Sequence, residues 1–440
     1  MKQYPIRARG AAELVRAIED RVASGVLVPG QTLPSVRRLG VEVGLSPVTV
    51  ATALAELRRR GVVVTEPRRA TRIGLRPPLA ATHTPMPVPP GARDLSLGNP
   101  DPELLPDLRP ALARCQLPVR LYGQPHALAE LLELARAQLR ADGLPAEQLC
   151  LTSGAMDAIE RVLGANLRPG DRVAVENPGY AALYDLLRAH GRVLDPVAVD
   201  DRGMLPDRLN DALERGALAV VITPRGQNPT GAALDSARAG ELRAVLERFP
   251  QTLLVEDDHL GPVAGAPLHT LVAHTQRWAN TRSVAKALGP DLRLAVLAGD
   301  PATIARVHGR QQCGPGWVSH ILQELVLSLW SDPHVHELIQ RASNTYVERR
   351  QSLLAALAQH GLAAHGASGL NVWIPVSEEA ATIAALAQRG WVLAPGAPYR
   401  LAGAVPAVRV TTSTLVPHEA EQLARELAQV LAPTRLSRSG

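Results

Sequence analysis

Residues 283–293 read SVAKALGPDLR and set Ser283, Lys286 and Arg293 within eleven residues. The chain holds 47 Lys and Arg together, and the only lysine besides Lys286 is Lys2. A composition that so favours arginine gives a mid-chain lysine a chemical reason to remain. Arginine stays protonated and cannot condense with an aldehyde, whereas a lysine amine can. A hydroxyl and an arginine close by suit a phosphate dianion, which arginine meets with two donors. The spacing alone leaves two alternatives open: an ordinary surface lysine, and the S-x-x-K of penicillin-binding enzymes. The S-D-N and K-T-G motifs that accompany the latter are absent.

Working outward, TLLVEDDHLGP (252–262) places Glu256, Asp257 and Asp258 at the end of an apolar strand. Ligands in open α/β sheets bind at the carboxyl ends of strands, and a carboxylate there can pair with a protonated pyridine nitrogen. Two adjacent acids without further clustered ligands make a poor metal site, so no metal is expected. ITPRGQNPTG (222–231) offers Asn228, a neutral donor for a phenolic oxygen. LTSGAMDAIE (151–160) has a Ser-Gly-Ala turn before a helix, whose free N–H groups favour anions. ENPGYAALY (176–184) puts Tyr180 after a turn, with its ring placed to stack on a cofactor. Each of these alone is as compatible with ordinary turn chemistry. Apolar strands are expected at 173–175, 218–222, 252–255 and 294–297, with helices such as 128–140 and 241–248 between or before them. That rhythm predicts an α/β domain with a mostly parallel sheet, followed after about residue 345 by a smaller α+β segment.

Taken in order, Y-G-x-P, T-S-G-A, N-P-G-Y, Q-N-P-T-G, E-D-D and S-x-x-K with Arg seven further on resemble the fold-type-I aminotransferases, over residues 94–435. The resemblance implies pyridoxal 5′-phosphate as cofactor, with Lys286 forming the Schiff base. Asp257 would pair with the ring nitrogen, Asn228 would bond the ring oxygen and Tyr180 would stack on the ring. The backbone amides of Ala155 and Met156, with Ser283 and Arg293, would hold the phosphate. Tyr122, in LYGQP, would reach the phosphate of a neighbouring subunit, which implies a homodimer. Arg409, in VRVTTSTL, would grip the carboxylate of a substrate or effector. Two positions depart from the family pattern. His259 stands where a tyrosine usually bonds the ring oxygen, and its titration is expected to make the cofactor pH-sensitive. Met156 replaces a glutamine, which a backbone contact tolerates.

Residues 1–76 carry 14 Lys/Arg against 6 Asp/Glu, a net +8, while the rest of the chain is −3. A basic head on a slightly acidic body points to a polyanion, although a solvated basic surface fits the charge as well. Between them, PPLAATHTPMPVPPGAR (77–93) has six prolines in 17 positions and reads as a semi-rigid linker. In the head, Leu14, Val15, Ile18 and Val22 recur at helical spacing, and a second helix is expected over 35–43. Gly44-Leu45-Ser46 then turns into a third helix with Ser46 as N-cap and Pro47 as first residue, ending near Arg60. On it Val50, Leu54 and Leu57 are expected inside, with Thr49, Thr52, Ala53 and Glu56 outside. Residues 62–64 and 71–73 are expected to pair as a hairpin, the wing.

GVLVPGQTLPSVRRLGVEVGLSPVTVATALAELRRRGVV (25–63) resembles the GntR-type winged helix-turn-helix. By that resemblance the third helix enters the major groove of double-stranded operator DNA. Arg37, Arg38, Ser46, Thr49 and the wing arginines Arg68, Arg69 and Arg72 would contact phosphates or base edges. The two resemblances together are those of the MocR-type regulators: a DNA-binding domain over 1–76, the linker 77–93, and an aminotransferase-like effector and dimerisation domain over 94–440. In that family the body is a sensor. An amine, amino acid or B6 vitamer would react with or displace the Lys286 aldimine and so alter DNA binding. The NPGY, EDDH and LGPDLR stretches resemble the subgroup linked to vitamin B6 metabolism. A catalytically active aminotransferase carrying a DNA-binding domain is the alternative, because the reactive residues are intact. The three cysteines, Cys115, Cys150 and Cys313, are scattered and odd in number, which argues against a disulfide framework or a zinc site and fits a cytoplasmic protein. Neither a signal-peptide core nor a run of about 18 apolar residues appears.

Overall fold

The computed structural model describes residues 8–23, 26–28, 30–59, 62–64, 71–74, 88–272, 275–401 and 403–432. Arg68, Arg69 and residues 77–87 of the expected linker lie outside them. The chain divides into two compact units: residues 1–84 with 167–172 and 182–194, and residues 85–166, 173–181 and 195–440.

In the first unit, α1 (Ala11–Ala23), α2 (Val36–Val43) and α3 (Pro47–Arg59) precede β1 (Val63–Val64) and β2 (Arg72–Ile73). The Ser35 hydroxyl accepts from the Arg38 amide at 3.4 Å and caps α2, which ends on Gly44 in the left-handed region at φ 74°. Gly40 lets the turn close: a Cβ there would lie 2.8 Å from the Leu45 carbonyl oxygen. Ser46 Oγ accepts from the Thr49 amide at 3.1 Å and starts α3. The wing pairs antiparallel, Val63 with Ile73 and Val64 with Arg72. Leu14, Ile18, Leu39, Val50, Leu54, Leu57, Val63 and Ile73 form the core. Ala53, expected outside, is fully buried. With Val50, Leu54 and Leu57 it completes an i, i+3, i+4, i+7 stripe, and its size admits close packing.

The body starts with β3 (Arg93–Asp94), α4 (Leu108–Arg114) and α5 (Ala129–Ala141). Strands and helices then alternate through β4 (Leu149–Thr152), α6 (Ala155–Asn166), β5 (Arg172–Asn177), α7 (Ala181–Ala189), β6 (Val193–Asp200), β7 (Gly203–Met204), α8 (Pro206–Glu214), β8 (Ala217–Ile222), α9 (Ser236–Glu247), β9 (Leu253–Asp258), β10 (Arg277–Ser283), α10 (Ala285–Leu288) and β11 (Ala295–Gly299). The eight-stranded sheet has the order β4-β11-β10-β9-β8-β5-β6-β7. All four strands expected from the sequence are present. As expected, the sheet is largely parallel, with one reversed strand inside it: β8, β9 and β10 run parallel, and β11 is antiparallel to both β10 and β4, so β4 points the same way as β10. Only the short segment carrying Lys286 joins β10 to β11, too short for the crossover that a parallel neighbour needs.

Helices α11 (Pro301–Gln312), α12 (His320–Trp330) and α13 (Pro333–Gln359) lead to a smaller layer. It contains β12 (Asn371–Pro375), α14 (Glu379–Ala387), β13 (Trp391–Val392), β14 (Ala394–Pro395), β15 (Ala407–Thr411) and α15 (Pro417–Leu431). This layer is not purely C-terminal: β13 pairs with β3, and Leu95 is buried in its core.

Candidate functional site

Strands β4, β8, β9 and β10 point the same way, and the segments that leave their carboxyl ends carry the expected residues. Asp257 and Asp258 are the last residues of β9 and, as neighbours on a strand, face opposite sides. Asp258 is fully buried and accepts from Arg225 at 2.8 and 2.9 Å and from Arg282 at 2.9 Å. Burial alone would raise its pKa; Arg282 and Arg225 overcome that and hold it below the usual carboxylate value. Asp257 has no such partner. Its Oδ1 is buried without a hydrogen bond, and its other oxygen lies 3.7 Å from His259 Nδ1. Burial, helped by the charge of Asp258, pushes Asp257 up to about 7. A carboxylate in this state wants a cation on its open side.

Lys286 sits in the first turn after β10, and its Nζ donates to the Gly98 carbonyl. Burial and the nearby charge of Arg409 push the amine down to about 8, which raises its nucleophilic fraction near neutral pH. His259 is pushed down to about 4 by burial and by Lys286. Both causes favour the neutral imidazole.

Arg409, on β15, is 3% exposed. It donates to Asn228 Oδ1 at 3.0 Å and to the Ser96 carbonyl, and its guanidinium lies 4.9 Å from the centre of the Tyr399 ring. No carboxylate hydrogen-bonds it among the described residues, and its Nε is buried without a partner. Asn228 spends its oxygen on Arg409, so its amide nitrogen is the group left to donate elsewhere. Tyr180 keeps 37% of its surface exposed.

At the start of α6, Gly154 has φ +101°, and a Cβ there would lie 2.7 Å from Arg293 Nη2. Arg293 itself is in the left-handed region at φ 41° and donates to the Ser153 carbonyl at 3.3 Å. Ser283 Oγ accepts from the Ala285 amide at 3.2 Å. Ala155, Met156, Ser283 and Arg293 thus belong to one corner built of helix-start amides and a guanidinium, an arrangement suited to phosphate. Tyr122 stands apart: it is 92% exposed and meets the edge of Trp317 at 5.7 Å between ring centres. Sequence reasoning missed Ser96, Gly98, Tyr399, Arg225 and Arg282. The strained Gly154 was legible in T-S-G-A; the carbonyls of Ser96 and Gly98 leave no signature in side-chain type. No group of three or more His, Cys, Asp or Glu placed to hold a metal occurs among the described residues.

On the head, Arg37, Arg38 and Arg72 are exposed, and Arg38 Nε lies 3.1 Å from Glu42. Ser46 caps α3 by accepting from the Thr49 amide, and the Ser46 and Thr49 hydroxyls lie 2.8 Å apart.

Residues 93–427 match the family model described as aminotransferase class I and II, and residues 11–73 match that of bacterial regulatory proteins of the gntR family. The chain belongs to the MocR-type transcription regulators, in which a GntR-type winged helix-turn-helix is fused to a fold-type-I aminotransferase body, with pyridoxal 5′-phosphate as cofactor. It is 39% identical, over 97% of its own length and 99% of the relative's, to the vitamin B6 salvage pathway transcriptional repressor PtsJ of Salmonella typhimurium strain LT2. It is 27% identical to the HTH-type transcriptional regulator TauR of Rhodobacter capsulatus over 81% of each chain. An archaeal alanine:glyoxylate aminotransferase shares the fold with a TM-score of 0.70 at 23% identity, covering 77% of this chain and 90% of that one. Among the described residues no single helix is long and apolar enough to cross a membrane.

The residues present fit the cofactor. The orphaned Asp257 oxygen suits a protonated ring nitrogen, and the Gly154–Arg293 corner suits a phosphate. Lys286 is the only lysine outside the N-terminal tail.

Proposed function

We propose that the body, residues 94–440, is a sensor that ties DNA binding by the head, residues 1–76, to an amine, amino acid or B6 vitamer through Lys286. The observation that carries this reading is a largely buried amine near an arginine that has no carboxylate partner, with a buried carboxylate oxygen left unpartnered at the end of the neighbouring strand β9. Pyridoxal 5′-phosphate, when bound, supplies an electrophilic carbonyl carbon and an electron-withdrawing ring. Lys286 would hold that carbon, Asp257 the ring nitrogen, the Asn228 amide and neutral His259 the ring oxygen, and Tyr180 the ring face. Ala155 and Met156 amides, Ser283 and Arg293 would hold the phosphate. Arg409, fixed by Asn228 and Ser96, would take an effector carboxylate. The relationship to PtsJ supports a B6 vitamer as the first effector to try.

The exposed Tyr122 ring supports a homodimer in which it completes a neighbour's site, with two heads on paired half-sites. A ligand shifts DNA affinity only by binding two conformations unequally. The chain is placed in the cytoplasm, on the nucleoid when bound to DNA. Arg409 held ready for a carboxylate also favours a second reading, residual transamination, which a steady-state assay with amino-acid donors tests.

The deciding experiment measures operator binding with and without pyridoxal 5′-phosphate, pyridoxal, pyridoxamine and amino acids, for the parent protein and Lys286→Ala. The variant is expected to bind DNA, to retain no borohydride-trapped cofactor, and to lose the effector response. An unchanged response in Lys286→Ala would overturn the reading.

A further inference from the structure

Helix α3 leaves a face in water that is poor in hydrogen-bonding groups. Val48, in its first turn, is 76% exposed. Ala51, Thr52 and Ala55 follow it at i+3, i+4 and i+7 and are exposed as well. Base pairs are told apart in the major groove chiefly by bidentate side chains, Arg or Lys on guanine and Asn or Gln on adenine, or by apolar contact with the thymine methyl. None of those bidentate residue types stands on this face among its described side chains, Val48 to Ala55. Its hydroxyls each make a local bond and have a single donor, so none offers a bidentate contact: Ser46 and Thr49 bond each other at 2.8 Å, and Thr52 Oγ1 donates to the Val48 carbonyl at 3.0 Å. The charges flank the face, with Arg37 and Arg38 on α2 and Arg58 at the far end of α3. That is where phosphates would run beside a helix lying in the groove.

We propose that the head reads thymine C5-methyl groups through Val48, with Ala51 and Ala55 letting α3 approach the base edges closely. The inference rests on the reading that the head binds double-stranded DNA. It adds which chemical feature of the bases gives specificity: methyl groups, not guanine acceptors. Leaving a valine side chain in water sacrifices its burial energy, and a methyl-lined groove restores it.

The test uses the full-length protein with pyridoxal 5′-phosphate. Duplexes are first selected from a random-sequence pool. Thymines in the selected half-sites are then replaced one at a time by deoxyuridine, which removes only the methyl. Binding should weaken about fourfold at each contacted position. Val48→Ala should bind the thymine and deoxyuridine duplexes equally, and the control Val41→Ala, on the 86% exposed Val41 of α2, should keep the parent's discrimination. Sequence-specific binding with no thymine–deoxyuridine difference would overturn the methyl readout alone. So would a Val48→Ala protein that still discriminates, or selected half-sites built on G·C pairs. No duplex binding by the full chain would overturn the DNA reading itself, and this inference with it.

Discussion

The α2–α3 surface of the head and the carboxyl edge of the body sheet are both rich in charge, and they treat it oppositely. On the head, Arg38 keeps 76% of its side chain in water, next to an exposed Arg37. In the body, Asp257, Asp258, Arg282 and Arg409 are all buried. Exposed charge costs nothing to fold and waits for an external polyanion. Buried charge must be paired inside the fold or left for a ligand to pair. Asp258, bridged by two arginines, is the first kind; Asp257 is the second. Two adjacent residues of one strand thus divide between holding the fold and meeting a ligand.

The largest effect should fall on the paired acid. Asp258→Ala leaves two buried guanidiniums with the partly exposed Asp142 as their remaining acid partner, and the loss expected for breaking a buried ion pair is about 3–5 kcal/mol. Denaturant unfolding of the full chain measures it. A loss under about 1 kcal/mol would mean that Asp142 alone suffices for Arg225 and Arg282 and that the contrast with Asp257 is false.

Asp257 should behave in the opposite sense. Its folded value, about 7, lies above the ordinary 3.8, so the folded state binds the proton more tightly than the unfolded one. In cofactor-free protein this group's contribution to stability is therefore fully present below about pH 4 and is lost as pH rises through 7. Asp257→Asn should make the cofactor-free protein more stable than the parent at pH 8, by on the order of 3 kcal/mol, with the gap closing towards pH 4. Restored cofactor should erase the advantage by giving the carboxylate a cation. A parent that outlasts the variant at pH 8 without cofactor would show that the carboxylate already has a partner. A third and smaller effect belongs to the head. Arg37→Ala should leave unfolding unchanged within about 0.5 kcal/mol. It should weaken binding to specific and random duplexes alike and flatten the salt slope by about one.

The same division explains what the sequence made legible. Apolar strands such as β5, β8, β9 and β11 announce themselves, whereas β10, RWANTRS, does not, because Asn280, Thr281, Arg282 and Ser283 are polar yet buried, Asn280 through its bond to Glu256 and Arg282 through its bond to Asp258. Reactive side chains with a fixed order, Lys286, Asn228 and Asp257, could be read residue by residue. Their supports could not, since the Gly98 and Ser96 carbonyls and the Tyr399 ring arrive from chain segments about 190, 310 and 10 residues away from the groups they serve. Ala53 was misplaced because alanine is neutral in an apolar pattern; the stripe on either side of it carried the answer. Ser46 was legible as the N-cap of α3, and its hydroxyl does accept from the Thr49 amide; the bond between the Ser46 and Thr49 hydroxyls was not legible.

The smallest effect separates stability from recognition most cleanly. Arg38 and Glu42 form an i, i+4 pair at 3.1 Å with 76% and 35% of their side chains exposed. Such a pair contributes about 0.3–0.5 kcal/mol at most, because water screens the attraction and two long side chains must be ordered to make it. Glu42→Gln should therefore leave unfolding within about 0.5 kcal/mol of the parent. DNA changes the balance, since Glu42 adds a negative charge one helical turn from an arginine expected on a phosphate. Removing that charge should tighten duplex binding about two- to threefold at low salt, and the gain should fade as added salt shortens the screening length. Titrations of the parent and Glu42→Gln at two salt concentrations measure this. Binding that is unchanged or weaker at low salt would remove Arg38 from the phosphate contacts and leave Arg37 as the arginine of α2 that faces the DNA.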